Sequence, residues 1–297
     1  MALNLGNGIT QLFPHSREFS QGIGTRGIRK GAATFIVALD GSGDFDDIQE
    51  AINALGPEGG VIYIKEGTYL MNSWIEITNS NIHITGTGAG TVLYAKDSSP
   101  DFYFLYANTK ENIIISDLSI DGNKNNQPGT TDLTGIYLNQ CKNCRIENVF
   151  IKNLQGSAWG IRTFSTDDTK GRHVITNCLL NDNEVTDGIE ISDQNCVISN
   201  NTLRRNGEYG KGITLSFFNN NVVSSNTIKN YGSSGICIHY ANKNIIISNI
   251  STSNDDGIDL DSYSDRNIVL GNICLDNSGS QIANNGTNTV LAHNITT

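Results

Sequence analysis

Carboxylates crowd two short stretches of this chain. Asp255, Asp256, Asp259 and Asp261 fall within Asn254-Asp255-Asp256-Gly257-Ile258-Asp259-Leu260-Asp261, and Asp187 and Glu190 within Thr186-Asp187-Gly188-Ile189-Glu190. Crowded carboxylates raise one another's pKa, so one can stay protonated as a general acid while its neighbour acts as base. Asp259 and Asp261 are two residues apart, which on a strand separates their Cα atoms by about 6.5 Å. That separation suits an inverting glycosidase pair. Two other readings use the same residues: aspartates that cap turn amides, and convergent carboxylates that hold calcium. No cofactor is required by the pattern, and calcium is the one it admits.

The element that must position these residues is a repeat. Gly-Ile recurs at Gly135, Gly160, Gly188, Gly212, Gly235 and Gly257, at intervals of 25, 28, 24, 23 and 22 residues. Within each copy apolar and polar residues alternate, which is strand periodicity. One such strand per period in the low twenties marks a solenoid, whose units bury their apolar faces only by stacking. Two asparagine series run in phase with it: Asn143, Asn195, Asn221, Asn244 and Asn267, and Asn148, Asn200, Asn226, Asn249 and Asn272. Asparagine tolerates a left-handed turn, and its amide can bond to the next coil, so each series is expected to form a ladder.

If the Ile of each Gly-Ile points inward, the residue after it points out, and so does the one two further on. The first outward column is then Tyr137, Arg162, Glu190, Thr214, Cys237 and Asp259. The second is Asn139, Phe164, Ser192, Ser216, His239 and Asp261, and the residues before each Gly add Thr134, Trp159, Asp187, Lys211, Ser234 and Asp256. Two clusters emerge: the acidic one with His239 beside it, and Tyr137, Trp159, Arg162, Phe164, Asp187, Glu190 and Asp193. Aromatic faces with carboxylates and a guanidinium suit a sugar ring; rings packed only as cover for neighbouring coils are the plainer alternative. Five coil steps from Gly135 to Gly257 make a trough of about 24 Å, better suited to a polymer than to a metabolite.

The whole chain narrows the class. It has 297 residues, a formal charge of −10 and only 17% charged residues. The acidic balance argues against nucleic acid. No apolar run is long enough for a membrane span. Residues 1 to 13 lack the features of a secretory signal, so the expectation is a removed signal or export by another route, such as within a virion. All six cysteines are read as structural; Cys141 and Cys144 form a CxxC without a second pair. Residues 1 to 34 read as an arm or linker. A capping helix is expected over about residues 44 to 55, started by Asp44 and carrying Phe45, Ile48, Ala51, Ile52 and Leu55. Polar segments Asn123 to Thr134 and Thr166 to Arg172 interrupt the rhythm beside the face.

The run FIVALDGSGDFDDIQEAINAL followed by GGVIYIKEGTY resembles the opening of right-handed parallel β-helix proteins of the pectin-lyase-like superfamily, and the Gly-Ile and Asn repeats resemble their later coils. The resemblance implies an all-β, single-stranded right-handed parallel β-helix over residues 35 to 297. Polygalacturonase-type glycosidases carry N-T-D-G, then D-D, G-H-G and R-I-K. Asn254 to Gly257 and Thr186 to Gly188 are similar to the first motif, which would make Asp256 and Asp187 catalytic. The rest of that pattern is absent, with Lys211 and Ser234 on the coils after Asp187. The D-P-H-D motif of related epimerases and the Q-D and D-F-I-F-G signatures of pectin esterases are absent too.

The expected function is a glycoside hydrolase acting on a polysaccharide across the Gly-Ile face. Asp259 or Asp261 would be the acid and Asp256 the base, with His239 tuning a carboxylate and Asp187 and Glu190 as the other catalytic candidates. Tyr137, Trp159, Arg162, Phe164, Lys211 and Tyr240 would hold substrate. Two alternatives are a glycan-binding tail spike or adhesin, which would be a homotrimer, and a polysaccharide lyase with Arg162 or Lys211 as base. Each places the chain outside the cell or on a virion.

Overall fold

The computed structural model describes residues 33–205 and 209–297. Of the expected arm, residues 1 to 32 lie outside them. Ala33 and Thr34 already belong to the first strand, Ala33–Val37, which pairs in parallel with Gly60–Ile64.

The chain winds into a right-handed parallel β-helix. The Gly-Ile strands form one sheet of nine, all parallel and one coil apart: Ile75–Ile77, Phe102–Asn108, Leu133–Asn139, Trp159–Phe164, Asp187–Ser192, Lys211–Ser216, Ser234–His239, Asp256–Leu260 and Ile282–Asn284. The other two sides are rows of short strands. Ile114–Asp121 and Arg145–Lys152 are long enough to run through both rows and join them into one sheet.

Ile136, Ile161, Ile189, Ile213, Ile236 and Ile258 are fully buried and stack in register, which is the inward column the repeat requires. The glycines before them have a steric reason. A Cβ on Gly135 would strike the carbonyl oxygen of Gly160, one on Gly160 that of Gly188, and one on Gly212 that of Gly235. Glycine therefore lets neighbouring coils close up at this point of the strand.

From Asn221 and Asn226 onward the two asparagine series form the expected ladders; before them the series need a correction. Asn143, Asn148, Asn195 and Asn200 adopt positive φ and turn the corners. The buried ladders sit one residue later. In one, Asn221 N donates to Asn244 Oδ1 and Asn244 N to Asn267 Oδ1, at 2.8 and 2.9 Å. In the other, Asn201, Asn226, Asn249, Asn272 and Asn294 follow one another in the same way. Turning the corner and laddering are thus separate tasks on adjacent residues. Where the corner residue is Ser225, Ser248, Lys243 or Arg266 instead of Asn, only the ladder asparagine remains visible in the sequence. Upstream, Cys144, His173 and Cys196 occupy the ladder position: Cys144 N donates to His173 Nδ1, and Cys196 N donates to Asn221 Oδ1.

The capping helix is shorter than expected, Ile48–Asn53, and its N-cap is Asp47, whose carboxylate accepts from Glu50 N at 2.9 Å. Phe45 still bridges Val37 in parallel register, and the Asp44 carboxylate accepts from Ile36 N. These contacts keep the chain extended through Phe45 and postpone the helix. Ile48, Ala51 and Ile52 are buried. Gln49 takes a hydrogen bond from Glu76 N and donates to Glu76 O, occupying the free edge of the nine-stranded sheet. An edge filled in this way offers no template to another chain.

Candidate functional site

The outward columns form as the periodicity predicts. Tyr137, Arg162, Glu190, Thr214, Cys237 and Asp259 are consecutive neighbours across the sheet, and Asn139, Phe164 and Ser192 stand beside them. Trp159, Asp187 and Lys211 make a third row, as do Ser234 and Asp256. The structure lengthens the first column at its N-terminal end through Glu76 and Tyr106.

Around Asp187 the carboxyls are enclosed. Asp187 is 5% exposed and accepts from Thr214 Oγ1 at 2.8 Å. Burial raises its pKa, against the opposing effects of the Thr214 hydrogen bond and Lys211. Burial likewise raises Glu190, opposed by Arg162, with Asp187 adding to the rise. The Arg162 Nε lies 3.1 Å from Glu190 Oε2, and Ser192 Oγ donates to Glu190 Oε1 at 3.2 Å. The guanidinium is clamped over Trp159, 4.0 Å from the ring centroid, with Tyr137 and Phe164 at 5.3 and 5.5 Å. The Trp159 indole N–H is buried and faces the Asp187 carboxyl, where it opposes the rise that burial causes. A stacked, ion-paired guanidinium holds its carboxylate in one orientation.

Around Asp259 the carboxylates are mostly committed to the backbone. Asp261 accepts from Tyr240 N, Tyr263 N and Ser264 Oγ, and lies 2.8 Å from His239 Nδ1. Asp256 accepts from Ser280 N at 2.6 Å, and Asp255 from Ser278 Oγ. Asp259 is half-buried; burial, then Asp256 and Asp261, raise its pKa, while Lys211 and His239 pull it down. His239 meets Tyr240 and Phe217 edge-on, and Tyr240 stacks on Tyr263 at 4.2 Å.

Three coil steps separate Glu190 from Asp259, about 14 Å. One water cannot serve carboxyls so far apart, so the two groups are separate centres. Asp193 does not join the first. It is fully buried inside the corner, with an oxygen 3.5 Å from His173 Nε2. The strand ends at Ser192, and the chain there turns inward.

Trp74, Tyr103, Tyr106, Phe217 and Tyr263 were not singled out in the sequence. Tyr103 and Tyr106 flank Phe104-Leu105, and Phe104 occupies the place that Gly holds in later coils. A search keyed to Gly-Ile passes over that coil. The spacing of Tyr103 and Tyr106, equal to that of Asp187 and Glu190, was the available signal.

A family model described as periplasmic copper-binding protein (NosD) matches residues 73–297, and the chain belongs to this family. Among curated proteins it is 27% identical over 216 residues to mannuronan C5-epimerase AlgE2 of Azotobacter vinelandii, covering 66% of this chain and 21% of that protein. It is 44% identical over 70 residues to pectinesterase 2 of Citrus sinensis, covering 23% of this chain and 13% of that one. The chain therefore spans a small part of these relatives. In structure it is similar to the tailspike protein of E. coli bacteriophage HK620 solved with a pentasaccharide, at a TM-score of 0.67 and 15% identity over 78% of this chain and 48% of that chain. It is also similar to the AlgE4 A-module of the A. vinelandii epimerase, at a TM-score of 0.60 and 17% identity over 78% and 73%. The chain is a β-helix of the pectin-lyase-like kind, related to an epimerase and to pectinesterases.

Copper does not fit the residues present. Among the described residues no three His, Cys, Asp or Glu side chains are placed to hold a metal ion. All six thiols are free and buried. Burial pushes Cys178, Cys237 and Cys274 up to about 12, away from the thiolate that binds a soft metal. The His173 ring accepts from Cys144 N.

Proposed function

We propose that this chain is a carbohydrate-active β-helix that binds a polysaccharide along the Gly-Ile face and hydrolyses a glycosidic bond over Asp187 and Glu190. The observation that carries the reading is the pairing of a buried carboxyl, Asp187, with an arginine-held one, Glu190, beside Trp159. Asp187, whose ionisation burial opposes, donates its proton to the leaving glycosidic oxygen. Glu190, ion-paired with Arg162, takes a proton from the water whose oxygen bonds to the anomeric carbon. Their roles are assigned by their partners, Thr214 on Asp187 and Arg162 on Glu190. Tyr137 offers its ring to the sugar.

The names of its relatives, an epimerase and an alginate lyase from Azotobacter and a tailspike solved with sugar, support a polysaccharide substrate and a place outside the cell or on a virion. The test is release of new reducing ends from a polysaccharide panel by the wild type and by Asp187→Asn and Glu190→Gln. Loss in both variants, with the fold intact by circular dichroism, supports hydrolysis at this centre. Undiminished release in either variant removes the assignment. Products that absorb in the ultraviolet would replace hydrolysis by elimination, with Lys211 as the nearby amine.

A further inference from the structure

The face changes character along the solenoid axis. On the three coils that precede Trp159, its outward positions carry rings, amides and a hydroxyl. Trp74 stacks on Tyr103 with centroids 6.3 Å apart, Tyr103 on Tyr106 at 5.4 Å, and Tyr106 leads to Tyr137 at 5.6 Å. Tyr137 in turn lies under the Arg162 guanidinium. Beside the rings, Asn139 Nδ2 donates to Asn108 Oδ1 at 3.0 Å, an exposed amide pair. Glu76 is the one charged residue among the outward positions of these three strands.

We infer that Trp74, Tyr103, Tyr106 and Tyr137 form an extended binding site for an uncharged stretch of glycan, leading into the Asp187 centre. This rests on the glycan reading above but not on the bond-breaking step. From Trp74 to Asp187 is four coil steps, about 19 Å, enough for several sugar units laid along the axis. Pyranose C–H faces pack against aromatic rings, and amides such as Asn108 and Asn139 take up hydroxyls. Trp74 is 51% exposed although it is a large apolar ring, which is the expected state of a site waiting for a ligand. Charge selects the ligand class. Across the whole face the carboxyls Glu76, Asp187, Glu190, Asp256, Asp259 and Asp261 are met by Arg162, Lys211 and His239 among the outward positions, and His239 lies against Asp261. Arg162 is already paired with Glu190. A polyuronate would meet an excess of carboxylates on this face, with Lys211 the one cation outside an ion pair among the outward positions, whereas a neutral polymer meets no such repulsion. The site is thus matched to a neutral glycan, in contrast to the uronate named in the mannuronan epimerase relatives.

The experiment is affinity electrophoresis and calorimetry on the full chain with two sets of polymers. The neutral set is dextran, galactomannan, xyloglucan and a rhamnose-containing O-polysaccharide; the acidic set is polygalacturonate and polymannuronate. The proposal expects retention by at least one neutral polymer and by neither polyuronate at low salt. Trp74→Ala with Tyr103→Ala should weaken that binding tenfold or more, with Trp74→Phe restoring part of it. Asp187→Asn should leave the affinity in place while turnover disappears, which separates this site from the catalytic assignment. Binding of a polyuronate in preference, retention of nothing in either set, or an unchanged affinity in the double variant would each overturn the proposal. Trp74 and Tyr103 lie on the surface of the face, so an unaltered thermal unfolding transition verifies that the double variant is folded.

Discussion

Two groups of carboxyls stand on one sheet, in the same columns, three coils apart, and their surroundings give them opposite characters. Asp187 and Glu190 are enclosed by Trp159, Arg162 and Thr214, and both are harder to ionise than a free carboxyl. Asp261 and Asp256 accept from backbone amides, and Asp259 is half-buried beside them. The lesson is that a motif such as Asp-Gly-Ile-(Asp/Glu) places a carboxylate outward but does not say what it will do. The neighbours one coil above and below decide that.

The largest expected difference lies in activity. Asp187→Asn or Glu190→Gln should lower the rate of bond breaking by about 10²–10⁴-fold, the usual share of a general acid or base. Asp259→Asn should change it less than about tenfold. Initial rates on a responsive polysaccharide compare them directly, and equal losses at both centres would erase the distinction drawn here.

A second contrast concerns stability. Asn249→Ala removes the acceptor for both Asn226 N and Asn226 Nδ2 inside the ladder. Leaving two buried donors unpaired should cost about 3 kcal/mol in urea unfolding. Asp261→Ala frees two amides at the rim of the sheet, where water replaces the carboxylate, and should cost about 1 kcal/mol. A larger loss for Asp261 than for Asn249 would mean that the corner, not the ladder, holds the coils together.

The smallest effect is a pH signature. Asp187 is raised in the folded state, so between its unfolded and folded pKa values the folded chain binds more protons. Wild-type stability therefore falls as pH rises through that window. Asp187→Asn lacks the titrating group and keeps an acceptor for Thr214. Its unfolding midpoint should match the wild type below the ordinary carboxylate range and exceed it above. Asp259→Asn should show the same sign with a smaller gain, because Asp259 is half-exposed. A midpoint difference that does not change with pH would argue against an Asp187 carboxyl raised by burial.

The solenoid was legible in the sequence because Gly-Ile and its inward isoleucines repeat without gaps from Gly135 to Gly257, and each has a steric or packing cause. The first two outward columns followed from strand alternation; the row before each Gly, two residues ahead of an inward Ile, did not. The ladder was legible from Asn221 and Asn226 onward, but its register before them was not. Asn at a corner and Asn in a ladder are the same letter one residue apart, and only coil-to-coil hydrogen bonds tell them apart. The helix start was displaced because Asp44 and Asp47 are equally good caps by type, and the bridge from Phe45 to Val37 chooses between them. Of the two carboxyl groups, composition drew attention to the denser one around Asp259. The enclosure of Asp187 depends on Trp159 and Thr214, which lie one coil to either side and carry no motif of their own.

The most direct measurement is a crystal of Asp187→Asn soaked with an oligosaccharide cut from a polymer that the wild type degrades. The account predicts sugar density along the face from Trp74 past Tyr137, with a glycosidic oxygen within hydrogen-bond reach of residue 187 and the anomeric carbon facing Glu190. Density centred over Asp259 and His239, with the Asp187 pocket bare, would contradict it.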